Sequence, residues 1–363
     1  TQDVNGKTVL KLRANSSVES KSPYFGNNTS YLFEGFNKLN SYVNLPFEGA
    51  PSLFVSCPNL NVMPNLARIE NAYECFKGCK NFNQPINLQY AKDCGYLLYN
   101  AKNFSSTINI PLAEDISYAF YNINNFNAYN LNMPRVTNAN FAFSKSNIDN
   151  AFGLKIPKLK TAYGMFSNSN VFIDSNNITF DNVVTADAMF DSFSGHIGAI
   201  PEFPNVMRAN KMFNNCKGTA SSGFNYTFNA KECDNLFSGS SFVVNDYHNS
   251  LTSFPNAVNC NYMFNNVAFV LNNGYWNKNN AGRGIYLPNV VNGEYMFANT
   301  IWTQNTRITS NSPVMINRIL MPNTGICNYM FYNVNATGID LANCQFKQND
   351  NSFYNIGKYC FYG

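Results

Sequence analysis

Two histidines, ten cysteines and 21 carboxylates are the groups in this 363-residue chain that could do chemistry. A Ser-His-Asp or Cys-His nucleophilic site needs three groups to converge. His248 stands beside Asp246 and Tyr247 in an Asn-rich stretch, and His196 follows Phe193-Ser194-Gly195. The first is expected in a solvated loop and the second in a turn. The carboxylate pairs Glu114/Asp115 and Glu232/Asp234 are expected as ordinary surface charges. Cys75-x-x-x-Cys79 is a poor half of a zinc site, because no histidine or second cysteine pair lies near it in sequence. Asn292-Gly293 and Asn272-Asn273-Gly274 signal turns rather than phosphate cradles. The expectation is therefore no catalytic residue, no metal and no cofactor, and not an enzyme.

What positions these groups is a repeat. A large apolar anchor recurs at Phe33, Phe54, Phe76, Leu98, Phe120, Phe143, Phe166, Phe190, Phe213, Phe237, Phe264, Phe297, Phe331 and Phe361. The steps are 21 to 24 residues as far as Phe237, then 27, 33, 34 and 30. A unit of this length cannot bury its apolar face alone, so the period predicts stacked coils. The cysteines obey the same register. Cys57, Cys79 and Cys216 fall three after an anchor, and Cys94, Cys233, Cys260 and Cys327 four before one. Elsewhere those columns hold Ala101, Ser146 and Ser169, or Ala72, Ala139, Ala162, Ala186 and Ala209. A small buried side chain is what the columns require, and a free thiol meets it. Bridges between adjacent coils are the alternative.

Within one coil, Leu131 and Met133 alternate with Asn130 and Asn132, the period of a strand with one buried face. Proline ends this strand nine residues before the anchor at Pro111, Pro134, Pro157, Pro204, Pro255, Pro288 and Pro322. The strands align as Ile108/Ile110, Leu131/Met133, Leu154/Ile156, Ile178/Phe180, Tyr226/Phe228, Ile285/Leu287 and Ile319/Met321. Small, apolar and Phe residues at helix-like intervals, as in Ala139 to Phe143, predict a short helical turn. A Gly or Asn two residues past the anchor predicts a reversal. A further apolar residue such as Phe82, Phe104, Phe126 or Phe172 closes the coil. The fold class expected is α/β: a leucine-rich-repeat-like solenoid with a parallel strand ladder, short helical turns and about 13 or 14 coils. Residues 1–30 would form an amino-terminal cap and 31–363 the solenoid, with enlarged insertions after about 264.

Composition narrows the function classes. Charged residues make up 13% of the chain, against a usual share of about 25%. Asparagine carries the polar load instead, at 65 copies. A net charge of +4 without a basic run gives no nucleic-acid footprint, and no apolar run is long enough for a membrane span. Thr1-Gln2-Asp3 opens no signal peptide, which fits a trimmed secreted chain or one whose initiator methionine was removed.

Met133-Pro134-x-Val136-x-Asn138-Ala139-x-x-Ala142-Phe143, and Cys-Asn-Tyr-Met-Phe-x-Asn at Cys260 to Asn266 and again at Cys327 to Asn333, resemble BspA-like leucine-rich repeats. Phe82-Asn83-Gln84-Pro85-Ile86 is similar to the related Phe-Asn-Gln-Pro surface repeat, although the usual Trp after that strand is absent. The resemblance covers residues 31–363 and implies a non-enzymatic adhesin or receptor-binding protein, extracellular, on a bacterial surface or as a phage tail protein. Its partner would be a glycan or a host surface protein.

Two surfaces are expected to carry that role. One is the outward column of the strand face: Asn109, Asn132, Lys155, Thr179, Thr227 and Tyr286. It is polar and mostly uncharged. The other lies in the late insertions, at Tyr275, Trp276 and Trp302, since exposed aromatics are common contact residues. The competing reading of Trp302 is that it fills the coil-closing apolar slot. The alternative function is a rigid spacer or assembly module, with another subunit docked on the carboxyl-terminal coil.

Overall fold

Each anchor from Phe33 to Phe331 lies midway between two residues in the left-handed region of backbone space. Tyr118 and Asn122 flank Phe120 at φ 55° and 59°, Gly164 and Asn168 flank Phe166 at 57° and 54°, and Tyr262 and Asn266 flank Phe264 at 57° and 56°. The computed structural model describes residues 30–36, 51–64, 66, 68–128, 131–150, 153–173, 178–197, 202–217, 219–220, 228–240, 252–271, 285–304, 315–316, 319–335, 338–339, 344–346 and 359–360. Residues 1–29 of the expected amino-terminal cap 1–30, and the anchor Phe361, lie outside them.

The paired left-handed residues bend the chain into a run of turns, and hydrogen bonds to the next repeat hold them. Counting from the anchor, the N–H groups at −4, −2, 0 and +2 reach forward. Ala72, Glu74, Phe76 and Gly78 donate to the carbonyls of Asp93, Gly95, Leu97 and Tyr99 at 2.7–2.9 Å. The intervening N–H groups of Cys75, Lys77 and Cys79 close tight turns on Ala72, Glu74 and Phe76 at 3.1 Å. The described residues contain no helix, which corrects the expected helical turns. The reason is geometric. Buried positions fall at −4, −1, 0 and +3, as in Ala139, Ala142, Phe143 and Ser146. Intervals of three, one and three suit one face of a helix equally well, but here alternate bends aim the same residues inward.

Parallel sheets are the regular structure. The strand of the repeat forms where the sequence predicts it. Ile86–Asn87 pairs with Ile108–Asn109, Asn132 bridges Lys155, and Ile285 lies opposite Ile319. Thr252–Ser253, Ile285–Tyr286, Ile319–Thr324 and Cys344–Phe346 make one four-stranded sheet. The coil-closing apolar site proves to be a second strand. Phe126–Asn127, Asn147–Asn150, Asn170–Ile173, His196–Ile197 and Thr219–Ala220 pair in that order, all parallel. Ala268–Leu271 and Ile301–Gln304 repeat the arrangement further on. A third line of single parallel bridges runs at −5 through Asn71, Asp93, Asp115, Asn138, Thr161, Thr185, Arg208, Glu232, Asn259, Asn292 and Ile326.

Between these lines the anchors stack ring on ring. Phe143, Phe166, Phe190, Phe213, Phe237, Phe264, Phe297 and Phe331 follow one another at centroid distances of 5.2–5.6 Å, with interplanar angles of 4–11°. At Leu98 the column of rings is interrupted, and Phe82, Phe104 and Phe126 continue it at 6.2 and 6.3 Å. Cys57, Cys75, Cys79, Cys94, Cys216, Cys233, Cys260, Cys327 and Cys360 are free and buried. Position +3 asks for more than small size. Cys57 and Cys79 donate their thiols to the carbonyls of Phe33 and Phe54 at 2.8 and 2.9 Å, and Ser146 donates to Phe120 at 2.5 Å. Ser240 does the same to Phe213.

One N–H per turn, at −3, would otherwise lack a partner, and an unmade bond of this kind costs about 1–3 kcal/mol when buried. Early coils meet it from their own −5 residue: Asn71, Asp93, Asp115 and Asn138 accept from Tyr73, Gly95, Ser117 and Asn140 at 2.7–3.1 Å. Later coils use the −3 side chain of the coil before. Asn140, Asp187, Asn210, Asp234 and Asn261 accept from Tyr163, Asn210, Asp234, Asn261 and Glu294 at 2.8–3.1 Å. Either solution needs a short side chain ending in oxygen, and the Asn and Asp content of the chain follows in part from it.

Truncating the buried centre of the ring column, Phe166→Ala, is expected to cost about 3–5 kcal/mol. Phe172→Ala, at a side chain 44% exposed, should stay within about 1 kcal/mol. Urea unfolding followed by circular dichroism measures both.

Candidate functional site

The strand face delivers the expected column in part. Asn109, Asn132, Lys155 and Thr179 are exposed, each between buried apolar neighbours or, at Asn109, half-buried Ile108 and buried Ile110. Asn109 is fixed by parallel pairing with Asn87 and Asn132 by pairing with Lys155, so these side chains cannot change face without a register slip. Asn109 Nδ2 donates to Asn87 Oδ1 at 2.9 Å, tying its side chain to the preceding rung. Tyr286 sits in Ile285–Tyr286 and is half-buried. Thr227, Tyr275 and Trp276 lie outside the described residues. Trp302 is 3% exposed, and its indole N–H donates to Thr300 Oγ1 at 2.9 Å. It fills the coil-closing slot, and the expectation that it offers a contact surface is corrected. A buried indole with a satisfied N–H is core.

A second surface escaped the sequence reading. Residues at −2, in the first left-handed bend, point outward and are aromatic in runs. Tyr96 stacks on Tyr118 at 4.6 Å, and Tyr118 on Phe141 at 4.8 Å. At +1, Tyr99 stacks on Tyr121 at 4.7 Å. The two rows meet edge to edge, with Tyr99 and Tyr118 at 6.3 Å. The run breaks at Gly164, φ +57°, where a Cβ would fall 2.4 Å from Phe141 Cε1. It resumes as Tyr262, Tyr295, Tyr329 and Tyr359 at 4.7–5.2 Å. These distances are the spacing of parallel strands, about 4.8 Å. Because neighbouring rings cover one another's faces, the surface offers ring edges and phenol hydroxyls. Lys77 lies 5.4 Å from the Tyr96 ring centroid and Lys145 5.4 Å from that of Tyr121. The signal was present in the sequence as Tyr two before the anchor in seven coils, but nothing in residue type announces a left-handed bend at a tyrosine.

The groups weighed for chemistry have structural employment. Asp115 accepts Ser117 N–H through Oδ1 and Asn138 Nδ2 through Oδ2, each at 2.7 Å. Glu232 accepts from Asn259 at 2.9 Å and Asp234 from the Asn261 N–H at 2.8 Å. His196 lies in the strand His196–Ile197 and stacks on Phe172 at 5.2 Å. His248 lies outside the described residues. Among the described residues no three His, Cys, Asp or Glu side chains are grouped to hold a metal ion. Burial pushes the thiols of Cys75, Cys94 and Cys260 up, which keeps them as thiols at neutral pH. No helix among the described residues is long and apolar enough to cross a membrane. No protein-family model, curated protein or solved structure matches the chain.

Two pH effects follow. Burial, then the neighbouring Asp115 charge, raises the Asp93 carboxyl above its ordinary value of 3.8, against the pull of the Gly95 N–H. The charged form is therefore disfavoured by folding, and Asp93→Asn is expected to raise the melting temperature at neutral pH. That gain should fade as the pH falls through the raised value, where the aspartic acid is itself neutral. Burial also raises the Tyr96 and Tyr118 hydroxyls above 10.0. Unfolded tyrosines ionise first, so stability should fall as the pH rises past that value. Tyrosinate absorbance in native and denatured protein compares the two.

Proposed function

We propose that the chain is a non-enzymatic recognition protein of the BspA-like leucine-rich-repeat type, a solenoid that meets a glycan or a host protein surface from a bacterial surface or a virion. The observation that carries this reading is the outward column Asn109, Asn132, Lys155 and Thr179, in which parallel backbone pairing fixes Asn109 beside Asn87 and Asn132 beside Lys155. Two amides and a hydroxyl supply donors and acceptors without fixed charge, and Lys155 adds a single ammonium. Such a row suits a ligand that presents hydroxyls or peptide groups at regular intervals. Rigidity helps, since side chains fixed on a sheet lose little freedom on binding.

A second reading is a rigid spacer. The line of bridges from Asn71 to Ile326 favours it, because continuous pairing over that length makes a stiff body.

The two separate in one set of measurements. Fluorescently marked full-length chain is applied to a glycan array, to bacterial cells and to immobilised host surface proteins. The recognition reading expects binding that falls about tenfold in Asn132→Arg/Thr179→Arg, two exposed positions where folding tolerates a long polar side chain. The spacer reading expects no binding to any of them, and stable oligomers by light scattering.

A further inference from the structure

The late coils hold a groove that the strand column does not include. It has a volume of about 550 Å³ and is lined by Asn265, Asn266, Asn299, Ile301, Asn333 and Asn335. These residues occupy positions +1 to +4 after three successive anchors, Phe264, Phe297 and Phe331. The groove therefore runs from coil to coil, across three rungs at roughly 4.8 Å each, or about 10 Å between the outer two. In each coil two elements build its walls: the second left-handed bend at +2, and the start of the second strand at +4. Ile301 and Asn335 are joined there by a parallel bridge.

The lining is amide and hydrocarbon only. Positions +1 to +4 read Asn265-Asn266-Val267-Ala268, Ala298-Asn299-Thr300-Ile301 and Tyr332-Asn333-Val334-Asn335, with no charged residue among them. Earlier coils place Lys77, Lys80, Lys102, Lys145, Asp191 and Lys217 at these positions. Asn299 Nδ2 donates to Asn265 Oδ1, and Asn333 Nδ2 to Asn299 Oδ1, both at 3.0 Å. A carboxamide has two N–H donors and two acceptor lone pairs. The ladder takes one of each from Asn299, so a donor and an acceptor remain at that rung, in orientations the ladder fixes. Ile301, 45% exposed, adds an apolar patch among them.

We propose that this groove binds an extended, uncharged glycan chain lying along the stack. A neutral sugar offers what the lining asks for: hydroxyls that both donate and accept, an apolar face of C–H groups for Ile301, and no charge to desolvate. The rise of one ring in an extended chain is close to the spacing between coils, so successive sugars meet successive amides. Preorganised amides also resist the rotamer losses that weaken binding by free side chains. This inference rests on the recognition reading, and it adds a contact in the late coils to the one on the strand column.

The variants can be chosen to keep the fold. Position +2 is left-handed in every described coil and holds Gly78 at φ 72° and Gly239 at φ 68°. Asn266→Gly/Asn333→Gly therefore removes two groove amides without asking the backbone to move. Asn335→Ala removes a third. The full chain is titrated calorimetrically with cellohexaose, maltohexaose and chitohexaose, and melting temperatures are recorded alongside. The expected result is saturable binding of at least one of the three. It should weaken at least tenfold in the double glycine variant and in Asn335→Ala, with the melting temperature held, and stay within twofold in Lys102→Ala, at an exposed residue outside both the groove and the strand column. Oligosaccharide binding that survives the groove variants overturns the groove assignment and leaves the recognition reading standing. No binding to the three oligosaccharides, while cells or host proteins are still bound, also overturns it. No binding to any surface removes the recognition reading itself.

Discussion

Forward hydrogen bonding in register governs this molecule. The four N–H groups around each anchor reach the carbonyls one position earlier in the next coil, so every side chain is followed, one rung on, by its own counterpart. The neighbours that matter most to a residue are thus its equivalents in adjacent coils. Phenyl must tolerate phenyl, and it does: the rings lie nearly parallel at little more than 5 Å. Tyrosine stacks on tyrosine outside for the same reason.

Like on like is hostile to charge and kind to amides. A column of lysines or aspartates would set equal charges one strand spacing apart, whereas an asparagine donates to the asparagine before it and accepts from the one after. The low charged fraction and the 65 asparagines are two sides of that constraint. The charges that remain obey it. Glu70, Lys92 and Glu114 share position −6 and alternate in sign, with Lys92 Nζ 3.0 Å from Glu70. Arg208 pairs with Asp187 of the preceding coil at 2.8 Å. Lys80 and Lys102 at +4 and Arg135 and Lys158 at −8 are exceptions, and so are Asp93 and Asp115, adjacent in the −5 line. Each aspartate caps a backbone N–H, and Asn138 donates to the second.

Much of this was legible in the residues. The anchor spacing, the alternation at Leu131-Asn132-Met133, and the cysteines kept to small columns all reflect burial, and burial leaves its mark on residue type. Backbone conformation left less. Glycine or asparagine at +2 betrays a left-handed bend, but at −2 the same bend is made by Tyr96, Phe141, Ala188 and Lys211, which seldom adopt it alone. Inter-coil hydrogen bonds impose it, and no local preference records them. The outward tyrosine rows and the run of turns in place of helix both stayed hidden behind that one fact. The second strand was missed because only its apolar half, such as Phe126 or Ile148, carried a signal.

In an ordinary strand successive amides point to opposite neighbours, and their dipoles cancel. Around the anchors they do not. Every second N–H points toward the higher-numbered coil, and the bonds that run back, such as Lys92 N–H to the Glu70 carbonyl and Asn103 N–H to that of Lys80, fall only at the flanks. The arc beside the ring column is thereby polarised along its length, carbonyl oxygens toward low numbers and amide hydrogens toward high ones. The sense is opposite to that of an α-helix, whose amide hydrogens lead at its amino end.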